Sequence, residues 1–246
     1  MKPFLLLSTR EVDRAADNEY EAMLRFSGLR EGQLRRIRME QGPAGAIDLD
    51  NFSGVIVGGG PFNASDIDKS PTQVRVEAEI SALLDQIVAR DFPFLGACYG
   101  IGTLGIHEGA LVDRTYAEPV GPTMITLTEE GRADQLFEVL PDTFEAFLGH
   151  KEAIRKLPAH AVNLASSAAC PVQAFRVGRN VYATQFHPEL DIDGVEVRID
   201  VYKHAGYFEP HEADDLRARA RASSVVHPPA ILSRFVELFA DGPSPA

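Results

Sequence analysis

Pro93-Phe94-Leu95-Gly96-Ala97-Cys98-Tyr99-Gly100 is a short apolar run that ends on a cysteine set between glycines. A run of this kind bounded by turn residues fits a strand buried on both faces, as in a parallel sheet. The glycines around Cys98 permit a sharp turn from strand to helix, so the thiol stands at the carboxyl end of the sheet. A helix starting just after Cys98 sets its positive end beside the sulfur and favours the thiolate. The Tyr99 N–H points into the same space as one candidate oxyanion donor. Taken alone, residues 96–100 read equally well as a small cysteine buried at a tight turn.

The chain upstream supplies the sheet that this reading needs. Phe4 to Leu7 reads as a buried apolar strand, Gly54 to Val57 is short and β-branched like another, and Leu34 to Met39 is a weaker third. Ser8 and Glu11 form a capping-box pattern that predicts a helix from Glu11 to about Phe26. Ser70, Pro71 and Gln73 signal a second start, after which Val76, Ile80, Leu83 and Ile87 share one face. Strand, helix, strand, helix in this order predicts a parallel sheet with helices on both faces. The strand 54–57 runs into Gly58-Gly59-Gly60-Pro61, at the same sheet edge as Cys98. Gly59 or Gly60 is thus the candidate second oxyanion donor. A nucleotide loop is the weaker reading, because Asn63 stands where a G-x-G-x-x-G spacing needs its last glycine.

Downstream, Met124 to Leu127, Thr143 to Leu148 and Ala161 to Ala165 read as strands in a less regular middle. Val172 to Val177 and Val181 to Phe186 flank Gly178-Arg179-Asn180 as a hairpin. Gln185-Phe186-His187-Pro188-Glu189 then ends a strand with His187 and Glu189 two residues apart, hence on one side. Glu189 can accept from one imidazole nitrogen while the other faces a thiol, which is the arrangement of nucleophile, base and orienting acid. Val195 to His204, Glu212 to Ala222 and Ile231 to Ala240 read as helices, with Asp191, Asp193 and Glu196 at the first helix's N-terminus. Gly242 to Ala246 reads as a loose tail. The expected organisation is one unit over 1–192 with a C-terminal helical extension, 193–246, packed on it.

Val-Gly-Gly-Gly-Pro (57–61), Gly-Ala-Cys-Tyr-Gly (96–100) and Gln-Phe-His-Pro-Glu (185–189) together resemble the three signature motifs of class I glutamine amidotransferases. Within that family the likeness is to the glutaminase domains of GMP synthases, over roughly residues 1 to 190. The resemblance implies an α/β, flavodoxin-like, mostly parallel sheet and ammonia release from glutamine through a γ-glutamyl thioester. It implies Cys98, His187 and Glu189 as the catalytic set and Gly59, Gly60 and Tyr99 at the oxyanion hole. Gly60 and Gln185 are the candidate substrate-binding positions. Gly149-His150-Lys151-Glu152-Ala153 falls where the family carries a histidine-acidic motif near the site; His150 alone reads as a surface-loop residue. Two departures stand out. Gly102 replaces a family glutamine that helps hold the substrate's amino-acid end, and so leaves room for a different one. Nothing after Glu189 resembles an ATP-pyrophosphatase nucleotide loop, so this chain alone is not expected to make GMP.

Bulk composition bounds the remaining readings. The formal charge of −12 repels phosphate backbones and argues against nucleic acid. No stretch approaches the roughly 18 apolar residues of a membrane span, and no cofactor is implied. Two cysteines do not make a disulfide framework, which fits a reducing cytoplasm, and Cys170 has no neighbouring base. The seven histidines show no metal-ligand spacing. The expected partners are L-glutamine or a γ-glutamyl amide, with the ammonia accepted by a separate synthase subunit; a homodimer is compatible with the sequence. The alternatives are a stand-alone hydrolase of γ-glutamyl amides with the same three groups and a non-catalytic binding protein on this fold.

Overall fold

A computed structural model of the chain describes residues 1–240, so the tail expected over 242–246 lies outside the described residues. Eleven strands and seven helices are present among them. β1 (Phe4–Ser8), β2 (Leu34–Arg38), β3 (Val55–Val57), β4 (Phe94–Ala97) and β11 (Val181–Thr184) form the parallel half of one sheet. β10 (Ala174–Val177), β9 (Val162–Ser167), β6 (Glu118–Leu127) and β7 (Thr143–His150) continue it in antiparallel pairs. The order is β2-β1-β3-β4-β11-β10-β9-β6-β7, so the chain reverses its direction of growth between β1 and β3. In open α/β sheets such a reversal leaves a crevice outside the carboxyl ends of the strands.

The two faces of the sheet can be read from residue parity. Phe4 and Leu6 join the core that holds Met23 of α1 (Asp13–Ser27) and Ile231 and Phe235 of α7 (Ala230–Phe239). Leu5 and Leu7 join the opposite core, with Val76, Ile80 and Leu83 of α2 (Pro71–Ala89) and Leu104 of α3 (Tyr99–His107). Successive side chains of a strand point to opposite faces, and here both are covered, which is why β1 reads as an unbroken apolar run. α2 begins as its sequence signals, with Pro71 at the first turn and the Ser70 side chain accepting from the Gln73 N–H at 3.1 Å. α4 (Glu129–Arg132) is a single turn capped by Thr128.

Several expectations are corrected. Ser8 does not cap α1, which starts at Asp13 after Val12 with no side-chain cap. Ser8 is instead fully buried at the end of β1, and its hydroxyl donates to Glu19 at 2.9 Å. A buried carboxylate has a stronger claim on that hydroxyl than a helix end several residues away. The middle of the chain is more regular than its sequence indicates: β6 extends back to Glu118, and β5 (Leu111–Asp113) pairs with β8 (Ala153–Lys156) in a separate two-stranded sheet. The hairpin is present, with β10 and β11 joined through Gly178 at φ 57°.

After Glu189 the chain forms α5 (Ile192–Tyr202), α6 (Ala213–Ala222) and α7. Asp191 caps α5 by accepting from the Gly194 N–H at 2.8 Å. Val195 and Ala220 bury against Phe147 of the sheet, and Arg221 pairs with Glu196 at 2.6 Å to tie α6 to α5. No helix among the described residues is long and apolar enough to cross a membrane.

Candidate active site

Cys98 occupies the step between β4 and α3, with φ 52° and ψ −93°. A non-glycine residue at positive φ is strained, and its surroundings must hold it there. Its own N–H donates to Thr184 O at 2.8 Å and its carbonyl accepts from Ile101 N at 3.1 Å. The flanking glycines are there for close approach: a Cβ on Gly96 would stand 2.8 Å from the Gly100 backbone. Tyr99 opens α3, so its N–H is among those an α-helix leaves without an intrahelical acceptor.

His187 follows β11, and its backbone N–H donates to Phe147 O at 3.0 Å. Its Nδ1 lies 2.8 Å from Glu189 Oε1, and both side chains are buried. Burial disfavours the imidazolium, but the Glu189 carboxylate and the Cys98 sulfur outweigh it and drive His187 up to about 10. Burial likewise works against the Glu189 carboxylate, yet His187, then Arg10 and Arg198, hold it well below the ordinary range.

The glycine loop wedges against this pair. A Cβ on Gly59 would come within 2.5 Å of His187 Cε1 and 2.6 Å of Arg10 Nη2, and one on Gly60 would collide with Thr9 Oγ1. Thr9 Oγ1 also donates to Gly59 O at 3.3 Å, fixing the turn from below. The structure thus brings Cys98, His187, Glu189, Gly59, Gly60 and Tyr99 to one sheet edge. Gln185 is buried beside them and lines a smaller space adjoining Cys98, together with Asn63, Lys151, Glu152 and Tyr207.

Two expectations about the neighbourhood fail. Gly102 does not leave room: a Cβ there would stand 2.8 Å from Glu152 Oε1. The Glu152 carboxylate fills that space and accepts from the N–H groups of Ala64 and Ser65, each at 2.7 Å. His150 is not a surface-loop residue either. It is buried at the end of β7, with Nδ1 2.8 Å from Glu152 O and Nε2 3.0 Å from Glu118 Oε2. Cys170 is buried, its thiol donating to Val172 O at 3.4 Å and pushed up to about 11 by that burial.

Sequence reasoning missed a second group of residues around the site. Glu19 is fully buried under the loop, and Arg10 Nε donates to it at 2.8 Å while Arg10 Nη1 donates to Tyr202 OH at 3.0 Å. Arg198, Tyr202, Tyr207 and Phe208 come from the segment after Glu189 and wall a cleft of about 60 Å³ that contains Cys98 and His187. Lys151 ties this segment down, with Nζ 3.0 Å from Ala205 O and 4.3 Å from the Tyr207 ring centre. The one signal available was Arg198 between Val197 and Ile199, in a helical stretch that also carries Glu196 and Asp200 and so by itself reads as surface.

Residues 18–194 match the family described as glutamine amidotransferase class-I. The chain is 30% identical over 159 residues to a GMP synthase [glutamine-hydrolyzing] of Petrotoga mobilis, covering 64% of this chain and 28% of that protein. It is 30% identical over 145 residues to one subunit of the GMP synthase [glutamine-hydrolyzing] of Thermoplasma acidophilum, covering 58% of this chain and 66% of that one. The aligned part therefore spans under two thirds of either relative. A glutamine amidotransferase from Thermotoga maritima superposes with a TM-score of 0.73 at 21% identity, over 96% of this chain and 99% of that chain. One from Methylobacillus flagellatus gives 0.72 at 18%, over 100% and 97%; at such identities the likeness establishes the fold. With the family match covering most of its length, the chain belongs to the class I glutamine amidotransferases.

Proposed function

We propose that the chain cleaves the side-chain amide of a glutamyl group through a thioester on Cys98, releasing ammonia from L-glutamine for an acceptor enzyme on another chain. The observation that carries this is the strained Cys98 turn, set beside a His187 whose far nitrogen is bonded to buried Glu189 at 2.8 Å. In the reading, the Cys98 sulfur attacks the γ-carbonyl carbon, and the resulting oxyanion is met by the Tyr99 N–H and the Gly59 or Gly60 N–H. The C–N bond breaks as His187 gives its proton to the departing nitrogen. Water then adds to the thioester with His187 taking its proton, and the C–S bond breaks to return the thiol and release glutamate. Glu189 holds the ring in the tautomer that both steps need. The acceptor on a separate chain is supported by the Thermoplasma relative, which is named as one subunit of its synthase.

Ammonia release from L-glutamine by the purified chain, measured beside Cys98→Ala, tests the reading. The expected loss in the variant is on the order of 10⁴-fold or more; equal release by both proteins would sink it. A second reading keeps the chemistry and replaces ammonia with a larger amine, so that the chain is a hydrolase of γ-glutamyl amides. It is favoured by the apolar lining of the cleft on the His187 side of Cys98, where Leu148, Leu190, Val195 and Phe208 offer walls that ammonia does not need.

A further inference from the structure

Glu152 is a buried carboxylate for which the cleavage of an amide at Cys98 has no direct use. Its two oxygens accept from consecutive N–H groups, those of Ala64 and Ser65, each at 2.7 Å. Both residues belong to the continuation of the glycine loop beyond Pro61. On its other side the carboxylate meets α3, where a Cβ on Gly102 would stand 2.8 Å from Oε1. Glu152 is thus wedged between the loop and the first turn of the helix that Tyr99 opens. Loop and helix also touch through Phe62 and Tyr99, whose rings meet edge to face with centres 5.8 Å apart. The two candidate oxyanion donors lie on these same two elements, one in the glycine loop and one at Tyr99. Such donors act together only at a fixed separation, so the width between loop and helix matters.

The other ties on the loop run elsewhere. Gln73 Nε2 donates to Asn63 O at 2.8 Å and Lys69 Nζ to Ala64 O at 2.7 Å, which bind the loop to the chain that follows it. Thr9 Oγ1 supports Gly59 O from the end of β1. Glu152 is the side chain that sets the loop against α3, and it is itself held from behind. His150 Nδ1 faces Glu152 O at 2.8 Å, and since a carbonyl only accepts, that nitrogen donates. His150 Nε2 lies 3.0 Å from Glu118 Oε2, and Glu118 also accepts from the Ser167 hydroxyl at 2.9 Å and from Gln173 Nε2. Glu118, His150 and Gln173 are all buried, so the sheet anchors the turn between β7 and β8 that carries Glu152. A buried carboxylate stays with its donors, because leaving them would strand a charge away from water.

We propose that Glu152 is a positioning residue: its carboxylate sets the spacing between the glycine loop and α3, and with it the spacing of the Gly59 or Gly60 N–H and the Tyr99 N–H. The inference rests on the Cys98 thioester reading for the reaction that this spacing serves. It also gives the buried Glu118–His150 pair a purpose, as the anchor of Glu152 in the sheet. The position calls for a carboxylate, since an amide has one oxygen and would turn its NH₂ toward one of the two backbone N–H groups.

The test is Glu152→Gln in the full-length chain, which keeps the size of the side chain and removes one acceptor. With L-glutamine, kcat should fall about tenfold to hundredfold while KM changes less than about threefold, the pattern of a displaced transition-state donor. Alkylation of Cys98 by iodoacetamide needs the thiolate but not the oxyanion donors, and should keep its rate. Amide hydrogen exchange at Gly59, Gly60, Ala64 and Ser65 should quicken. Gly102→Ala pushes on the same carboxylate from the helix side and should slow turnover in the same way, although alanine suits a helix better than glycine. If Glu152→Gln does not fold, Gly102→Ala decides by the same measurements. An unchanged kcat, an effect confined to KM, or loop amides that exchange as in the wild type overturns the proposal. A wild type without Cys98-dependent ammonia release sinks the thioester reading instead, and the exchange of the loop amides then decides whether Glu152 sets the loop.

Discussion

His187 is held between two partners that favour its charged form, Glu189 and the Cys98 sulfur, against a burial that disfavours it. Its proton affinity therefore rests on Glu189, which makes Glu189→Gln an informative change: burial is left to act against a weaker opponent. We expect His187 to titrate near 10 in the wild type and well below that in Glu189→Gln, as read from its imidazole NMR signal. The same shift has a consequence for stability. A histidine raised above its ordinary 6.5 contributes stability fully present below that pH, and the contribution is lost as pH rises through about 10. Urea unfolding of the wild type should thus weaken between pH 6.5 and 10, and the slope should flatten in Glu189→Gln. An unchanged titration in the variant would mean that Glu189 does not control the ring. The orienting role of Glu189 was visible in its spacing from His187. The residues that complete its surroundings, Arg10 and Arg198, were not, because they lie far apart in the chain and only the fold brings them together.

Among the elements, α5 has the most to do with how the site is closed. Asp191 caps it by accepting from Gly194 N and also pairs with Arg25 of α1 at 2.5 Å, so one side chain fixes both the start of the helix and its seat. Asp191→Ala should cost about 1 kcal/mol for the cap, with little added for a pair that is half exposed. Urea denaturation checks this, and a loss within error of zero would show that α5 is held by its buried Val195 and Ile199 alone. Local signals of this kind were the legible part of the fold. The Ser70-Pro71-Gln73 start and the hairpin at Gly178 are both decided within a few residues, and both are present. Ser8 and Glu11 carried an equally good local signal, and it failed because Ser8 is claimed by Glu19 eleven positions away. β5 and β8 were missed for a related reason. Each is three or four residues long and takes its strand conformation from a partner about forty residues distant. Gly102 shows the same limit at the site, since the space beside it is filled by Glu152, fifty residues later.

At the scale of the whole molecule, the parallel half of the sheet gathers its chemistry by ending four strands at one edge. β1 delivers Thr9 and Arg10, β3 the glycine loop, β4 Cys98, and β11 His187 and Glu189. An edge of this kind is open to water until something covers it, and here the cover and the support are both drawn from the chain after Glu189. The segment 202–208 walls the cleft, while α7 packs on the far side of β1. Ile231, Leu232, Phe235 and Phe239 of α7 are buried there, with the Phe235 ring 5.8 Å from that of Phe4. The Ser53 hydroxyl lies 2.9 Å from Lys2 O and 3.0 Å from Ala240 O, so the first strand and the last helix meet at one side chain. α7 therefore belongs to the core and should unfold with it. Phe235→Ala removes a fully buried ring and should cost about 3–5 kcal/mol, seen as a lower urea midpoint with an unchanged slope. Because Phe235 packs beneath the sheet and the cleft lies at its edge, the fraction that remains folded should keep the labelling rate of Cys98 by a thiol reagent. A separate early transition for α7, or a Cys98 rate that changes under conditions where the variant is still folded, would show that the last helix is coupled to the site and not only to the core.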